Sequence, residues 1–288
     1  QITSRTTGAG NAGSIEILAQ NSIAITNSSL SSSSQSQQAD AGSGGPIILQ
    51  APSVELTDST VSSLTVGSGN AGNISVRVNT LNLSSVDPED LKSLKITATT
   101  SGPGHGGDIS ILGITGSGSR AHDVTLSGLS SIRSETLNGT GTGIGAAGNI
   151  SIDSIRLSLT TEAKITTSSR DSTPSFTHSG NAGNISLSAS EAILVSNSFV
   201  TSSVRENSTG NGGHITITTP NLSVNQGGLI STGTTSSGNA GAVTIAGESF
   251  SSGTGTITAS GTAAWAWVSS TWLSRPAAVR SCVSLRCS

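Results

Sequence analysis

One stretch of this chain reads Gly180-Asn181-Ala182-Gly183-Asn184-Ile185-Ser186-Leu187, a cluster of small residues followed by alternating apolar and hydroxyl residues. Copies of this motif, which we call the corner sequence, recur along the chain, and weaker copies complete a series of eight. Such a repeat is typical of a structural unit that stacks on copies of itself. The predicted corner residues are Gly10, Asn11 and Gly13; Gly69, Asn70 and Gly72; Gly107; Gly148; Gly180, Asn181 and Gly183; Gly213; and Gly238, Asn239 and Gly241.

The spacing of the corner sequences indicates one coil whose loops differ in length. The last glycine of successive copies falls at positions 13, 45, 72, 107, 148, 183, 213 and 241, so the steps range from 27 to 41 residues. A strict short-period solenoid would not vary in this way. The longest step, from Gly107 to Gly148, places the largest loops between those two corners.

Within one unit the pattern predicts three short strands. After Asn184 the chain runs through residues 185–189, 192–196 and 199–204, where apolar residues mostly alternate with serine and threonine. This alternation places apolar residues on one side of a strand and hydroxyl residues on the other. Three such strands closed into a triangle would bury their apolar sides. The sequence therefore predicts an all-β fold, a parallel β-helix (β-solenoid) of about eight coils with three short strands per coil.

The corner sequences have a physical role in such a fold. Glycine and asparagine both tolerate a positive φ, so we expect the tight corner between coils to use that conformation. Small side chains would also let neighbouring corners stack closely, and a ladder of asparagine side chains along the corner is a further expectation. Only residues 87–95, with an early proline, acids first and lysines last, favour a short helical turn instead.

Composition divides the chain into a β-helix shaft at 1–262 and an atypical tail at 263–288. All three tryptophans and both cysteines follow Thr262, whereas none of the sixteen acidic residues does. Two interpretations stay open: an amphipathic tail that caps the rod or docks to a partner, and a frameshifted or mis-called terminus. Cys282 and Cys287 could form a local disulfide, and as a metal-binding pair they lack two further ligands.

Charge and composition exclude several classes of protein. Only 10% of residues are charged and the net charge is −3, so neither nucleic acid nor an anionic membrane is expected as a partner. No apolar run is long enough to form a transmembrane segment. The first 281 residues contain no cysteine, which suits an oxidising compartment. Because the chain lacks methionine and a signal peptide, we expect it to be the interior of a longer fibre.

The corner sequence Gly-Asn-Ala-Gly-Asn-Ile-Ser, repeated across residues 8–261, resembles the shaft of filamentous-haemagglutinin-like two-partner-secretion exoproteins, those of cyanobacteria above all. The resemblance implies a right-handed parallel β-helix that an outer-membrane transporter exports to the exterior of a Gram-negative cell. It also implies an adhesin, secreted or held at the cell surface, with glycans or surfaces of host or neighbouring cells as partners. The family's secretion domain is absent from this chain, and its shaft has no catalytic residues to carry over.

A search for reactive residues predicts no catalytic, cofactor-binding or metal site. The sixteen acidic residues are spread thinly, and the one local cluster, at Asp87, Glu89 and Asp90, suits the first turn of the helical segment. Histidines such as His105 and His214 lie beside glycine pairs without metal-ligand spacing. The sequence therefore predicts an adhesive fibre segment that is not an enzyme. A structural spacer for a distal domain and a polysaccharide-active β-helix enzyme are the alternatives.

Overall fold

The fold is a parallel β-solenoid, which confirms the predicted fold class. The computed structural model describes residues 1–38, 40–85, 95–138, 145–171, 180–205, 209–235, 238–261 and 268–272. Within these ranges all regular secondary structure is β-strand, and the strands pair in parallel with their equivalents in the next coil. Over the same ranges, no helix has the length and apolar character needed to cross a membrane.

Twenty-four strands are described, and they are short in most coils. In chain order they are β1 (Ile2–Thr6), β2 (Ile15–Leu18), β3 (Ser22–Thr26), β4 (Ser29–Ser34), β5 (Ile47–Gln50), β6 (Ser53–Thr57), β7 (Thr60–Thr65), β8 (Ile74–Arg77), β9 (Thr80–Ser84), β10 (Lys95–Thr100), β11 (Ile109–Leu112), β12 (Ala121–Ser127), β13 (Ser131–Asn138), β14 (Ile150–Thr160), β15 (Lys164–Asp171), β16 (Ile185–Ser196), β17 (Phe199–Val204), β18 (Ile215–Thr218), β19 (Asn221–Asn225), β20 (Leu229–Thr234), β21 (Val243–Gly247), β22 (Ser249–Ser252), β23 (Thr256–Ser260) and β24 (Val268–Trp272). The order repeats three strands at a time through most of the chain.

Each coil has three walls, which we call faces A, B and C. Face A is the stack β1-β4-β7-β10-β13-β15-β17-β20-β23. Face B is the stack β2-β5-β8-β11-β14-β16-β18-β21-β24, and face C is the stack β3-β6-β9-β12-β14-β16-β19-β22. Strands β14 and β16 belong to both B and C, because each runs through the corner between those faces with a register shift between Ser154 and Arg156. In these two coils one strand of 11 or 12 residues replaces the two short strands that the sequence predicted.

The extent of the solenoid differs slightly from the prediction. Seven complete turns separate β2 from β21, where about eight coils were expected. Residues 268–272 of the predicted tail form β24 and pair with β21 in parallel, and the rest of 263–288 lies outside the described residues. Residues 87–94 of the predicted helical turn also lie outside them, and Lys95 begins β10.

Aliphatic side chains stack in files along the inside of faces B and C, as the strand pattern predicted. Burying one such side chain stabilises the fold by about 1.5–3 kcal/mol, and equal side chains placed above one another fill the narrow interior evenly. One file on face B holds isoleucines that are at most 1% exposed: Ile47, Ile74, Ile109, Ile150, Ile185 and Ile215.

Face A contradicts the predicted separation of apolar inside from hydroxyl outside. Its first inward file is aliphatic, with Val61, Ile96 and Ile132 among its members. The next inward file carries mainly serine and threonine side chains, and all of its middle members are 0% exposed: Ser32, Ser63, Ala98, Ser134, Thr167, Ser202 and Thr232.

The buried hydroxyls are there because they bind the backbone of the corners. The Ser202 hydroxyl donates to the carbonyl oxygen of Gly183 at 2.8 Å and accepts from the amide of Gly213 at 3.0 Å. A buried backbone group without a partner costs about as much as a lost hydrogen bond, and an aliphatic side chain could not supply one. The serines of this file, Ser32, Ser63, Ser134 and Ser202, therefore join the corner glycines of two successive coils, whereas Thr167 and Thr232 each donate to one glycine carbonyl.

After the first coil, the corner glycines are required by the stacking of coils and not by a positive φ, which corrects the predicted backbone conformation. A Cβ at Gly183 would overlap the carbonyl oxygen of Gly148 one coil earlier, and a Cβ at Gly148 would overlap that of Gly107. None of the predicted corner glycines has a φ in the left-handed region. The backbones of successive corners thus lie in direct contact, in agreement with the predicted close stacking.

Positive φ values occur instead at the corner between faces C and A. Asn27, Asp58, Asn197 and Gln226 have φ between 44° and 48°, and each lies between a face C strand and the next face A strand. Asparagine and aspartate adopt this conformation more readily than other residues with a side chain. The left-handed conformation that the sequence suggested for one corner is therefore used at another.

We expect Gly183→Ala to lower the free energy of unfolding by about 2–3 kcal/mol or more, because the backbone must move to admit the methyl group. Gly253→Ala is the matched control, since a Cβ there meets only the Cβ of Asn225 at 3.5 Å, an ordinary contact. Urea unfolding of both variants measures the difference. Equal loss of stability in the two variants would contradict the role of corner stacking.

Candidate functional site

The predicted corner residues lie along the outer edge between faces A and B, where their side chains bind the next coil. The asparagines at the second corner position are exposed, and wherever the next corner is described the side-chain oxygen accepts a backbone N–H from the equivalent residue one coil on. The amide of Asn211 donates to Asn181 Oδ1 at 2.8 Å, and the amide of Asn239 donates to Asn211 Oδ1 at 2.8 Å. Asn11 and Asn70 accept in the same way, from Ser43 and His105. The expected asparagine ladder is therefore present, with a gap at Ala146, which has no side-chain acceptor.

A second ladder runs beside the first from Asn73 to Ala242, one residue after the last glycine of each corner. Asp108 donates its amide to Asn73 Oδ1 at 2.8 Å, and Asp108 Oδ1 accepts from the amide of Asn149 at 2.7 Å. Asn149 Oδ1 accepts from Asn184 at 2.9 Å, and Asn184 Oδ1 accepts from His214 at 2.8 Å. Amides that point out of the corner thus find a partner in the neighbouring coil.

Two histidines take asparagine positions in these ladders, a role that the sequence pattern did not reveal. His105 Nδ1 accepts from the amide of Ala146 at 3.0 Å, and His214 Nδ1 accepts from the amide of Ala242 at 3.0 Å. A neutral imidazole can accept at Nδ1 while its hydrogen lies on Nε2. The corner side chains therefore act as acceptors that join coils, and the arrangement is structural.

A different set of side chains forms a groove on the outer surface of face A. Arg133 on β13, Lys164 and Arg170 on β15, Phe199 on β17 and Arg205 just after β17 line a cavity of about 430 Å³. We call this cavity the basic groove. Side chains alternate between the two sides of a strand. Lys164 and Arg170 therefore point outward, because their neighbours Ile165 and Ser169 are buried in the interior.

The floor of the basic groove is made of hydroxyl groups. Thr166 and Ser168 point outward from β15, yet they are only 5% and 1% exposed beneath the longer side chains. Thr166 Oγ1 lies 3.2 Å from Thr201 Oγ1, and the Ser168 hydroxyl donates to Glu135 Oε1 at 3.2 Å. Thr166 and Ser168 are thus partnered within the floor, whereas the half-buried Thr201 hydroxyl can both donate to and accept from a ligand.

Positive charge is concentrated in the basic groove although the whole chain carries a net charge of −3. Four cationic side chains face one carboxylate, Glu135, which lies 3.7 Å from Arg133 Nη1. Within the described ranges, Arg170 and Arg205 form no ion pair, and the ammonium of Lys164 lies 5.6 Å from the centre of the Phe199 ring. The described lining of the groove therefore carries more cations than carboxylates.

The charges on the outside of face C are arranged differently. Arg156 Nε contacts Asp123 Oδ1 at 2.7 Å and Arg156 Nη1 contacts Glu191 Oε2 at 2.9 Å, while Arg120 Nε contacts Asp153 Oδ1 at 2.7 Å. The hydrogen bond from Arg156 holds the pKa of Asp123 below its ordinary value. These groups are exposed, so the pairs contribute little stability. They do neutralise one another, which leaves face C without a comparable excess of cations.

Other kinds of site find no support among the described residues. No group of three or more histidine, cysteine, aspartate or glutamate side chains there could hold a metal ion. No protein-family model, no curated protein and no solved structure matches this chain. The protein is therefore classified by its fold, as a parallel β-solenoid.

Sequence reasoning missed the basic groove because its members are far apart along the chain. Arg133, Lys164 and Phe199 come from three successive coils and meet only through the register of face A. The available signal was the presence of basic or aromatic residues at outward positions of the third strand in consecutive repeats. That signal can be used only once the coils have been aligned.

We expect Asn184→Ala to lower the free energy of unfolding by about 0.5–1.5 kcal/mol, because the amide of His214 loses its acceptor. Asn184→Asp is the control and should keep most of the stability, since Asp108 accepts a coil-to-coil amide in the native ladder. Urea unfolding and amide hydrogen exchange at His214 measure the effect. Equal losses in the two variants would show that the side-chain acceptor does not matter.

Proposed function

We propose that this chain is a segment of an adhesive fibre that attaches through the surface of its rod. The observation that carries the proposal is the basic groove, where cations, hydroxyls and one aromatic ring are displayed together on the outside of a stacked scaffold. Hydroxyls and guanidinium groups are suited to binding the hydroxyls and carboxylates of glycans. Glycans or surfaces of host or neighbouring cells are therefore the proposed partners.

The solenoid supports adhesion because it repeats its outer surface along a line. Parallel strands of successive coils lie about 4.8 Å apart, so side chains at one register position form a regular row. Thr166, Thr201 and Ser231 form one such row beside the groove. Several weak contacts to one polymer or one cell surface can add to a strong attachment.

The proposed location is outside the cell, secreted or held at the outer-membrane exterior of a Gram-negative bacterium. The support is the resemblance of the corner sequence to filamentous-haemagglutinin-like exoproteins, together with the absence of cysteine from the first 281 residues. In that setting the partner in export would be an outer-membrane transporter acting on the parent protein.

A structural spacer is the second proposal, and the side-chain ladders at the corner favour it. Acceptor side chains join consecutive coils at the corner, as between Asn181 and Asn211 and between Asn211 and Asn239. A rod whose coils are joined by these hydrogen bonds resists bending and could hold a distal domain away from the cell. The two proposals differ in whether the rod itself binds.

We also propose that the chain is not an enzyme. Polysaccharide hydrolysis generally needs a pair of carboxyl groups on either side of the bond that breaks. The described part of the basic groove contains the single carboxylate Glu135, which already accepts from Ser168. Release of new reducing or unsaturated ends from polygalacturonate would contradict this proposal.

Binding measured against surface density separates the adhesin from the spacer. The whole chain is coupled to beads at several densities and tested on a glycan array. An adhesin should bind at least one glycan class, with apparent affinity that rises steeply with density because contacts are multivalent. Absence of binding at every density would favour the spacer.

A further inference from the structure

We infer that the basic groove is a binding site for an acidic polysaccharide, one whose carboxylates are spaced along an uncharged sugar backbone. The inference rests on the proposed adhesive function and names the ligand class of its site.

The cations are placed so that they can bind a linear polymer at two points. Lys164 and Arg170 are six residues apart on β15, which is a separation of about 20 Å at the rise of a β-strand. Arg205 lies beside Arg170 on the next coil, because Val204 pairs with Ser169 and Arg205 follows it. One end of the groove therefore presents two guanidinium groups and the other end an ammonium group.

These cations are available to bind an anion. Arg170 is exposed, and neither Arg170 nor Arg205 contacts a carboxylate within the ranges that the structure describes. Arg133 Nε is buried without a hydrogen-bond partner among the described residues, at the edge of the same groove. A guanidinium binds a carboxylate through two parallel hydrogen bonds, so paired arginines are well suited to a uronate.

The groups between the cations suit a sugar and not a bare anion. Thr201 offers a hydroxyl on the floor, and the hydroxyls of Ser203 and Ser231 continue into an adjoining groove of about 550 Å³. Phe199 supplies an apolar ring face against which the C–H side of a sugar can pack. A carboxylated polysaccharide would use the charges at both ends and the hydroxyls between them.

The same groups argue against nucleic acid as the ligand. Glu135 lies in the middle of the groove, where it would repel a phosphate backbone that carries one charge per nucleotide. Proteins that bind single strands stack successive bases on several aromatic rings, and the described groove has one ring, Phe199. A sparsely charged polymer can place its neutral sugars over Glu135.

The test compares the binding of two polymers with one backbone to the whole chain in calcium-free buffer. The first is polygalacturonate with most of its carboxyls methyl-esterified, so that free carboxylates are spaced along the chain, and the second is the fully methyl-esterified form. We expect the partly esterified polymer to bind at least about tenfold more tightly than the neutral ester, because each guanidinium–carboxylate pair is a charge-assisted hydrogen bond. Its binding should also weaken as salt is raised. Equal binding of the two polymers would overturn the inference.

The double variant R170Q/R205Q locates the site. We expect it to bind the partly esterified polymer at least about tenfold more weakly than the native chain. The matched control is R120Q/R156Q, which removes the same two charges from face C and should change binding less than about twofold. Both variants alter exposed side chains, and their thermal unfolding is measured to show that each is folded. Equal losses in the two double variants would overturn the inference, because charge alone would then explain binding.

Two further outcomes separate this inference from the proposed function. If duplex DNA displaces the partly esterified polymer at equal charge concentration, the groove is a general polyanion site and the inference fails. If the chain binds neutral glycans on an array but not the partly esterified polymer, the inference fails while the adhesive function stands. Absence of binding to any glycan would contradict both.

Discussion

At the corners between faces A and B the backbone of one coil lies against the backbone of the next, and the other features of the solenoid are adjusted to this contact. A Cβ at Gly72, Gly148 or Gly213 would overlap a carbonyl oxygen of the preceding coil. Strands about 4.8 Å apart can pair only if their corners approach equally closely. Glycine is therefore needed for space, and the loops that carry the variation in length lie elsewhere in each coil.

Polar side chains on both sides of the corner complete this contact. Outside, ladders such as Asn149–Asn184–His214 pass a hydrogen bond from coil to coil, and inside, hydroxyls such as Ser134 and Ser202 bind the corner glycines. Each bond contributes about 0.5–1.5 kcal/mol, and leaving a buried group without a partner costs more. Repetition of these bonds explains how a chain with 2% aromatic residues forms an ordered rod around a narrow aliphatic interior.

Because stacking depends on corners and interior, the outer surface of face A is free to carry a binding site. The side chains of outward residues such as Arg170 and Arg205 make none of the coil-to-coil hydrogen bonds that are described, although their backbones do. Substitution there should change what the rod binds with little effect on its stability. The ion pairs of face C show the opposite arrangement, in which Arg156 joins Asp123 and Glu191 and little net charge is left for a ligand.

The strand pattern, the corner sequences and the parallel solenoid follow from local periodicity and could be read from the chain alone. Three features could not: the inward hydroxyls of face A, the use of positive φ at residues such as Asn197, and the continuous strands β14 and β16. Each depends on which backbone group of another coil lies nearby, and that is unknown until the coils are stacked. The basic groove is the clearest case, because Arg133, Lys164 and Phe199 meet only when loops of unequal length bring three coils into one register.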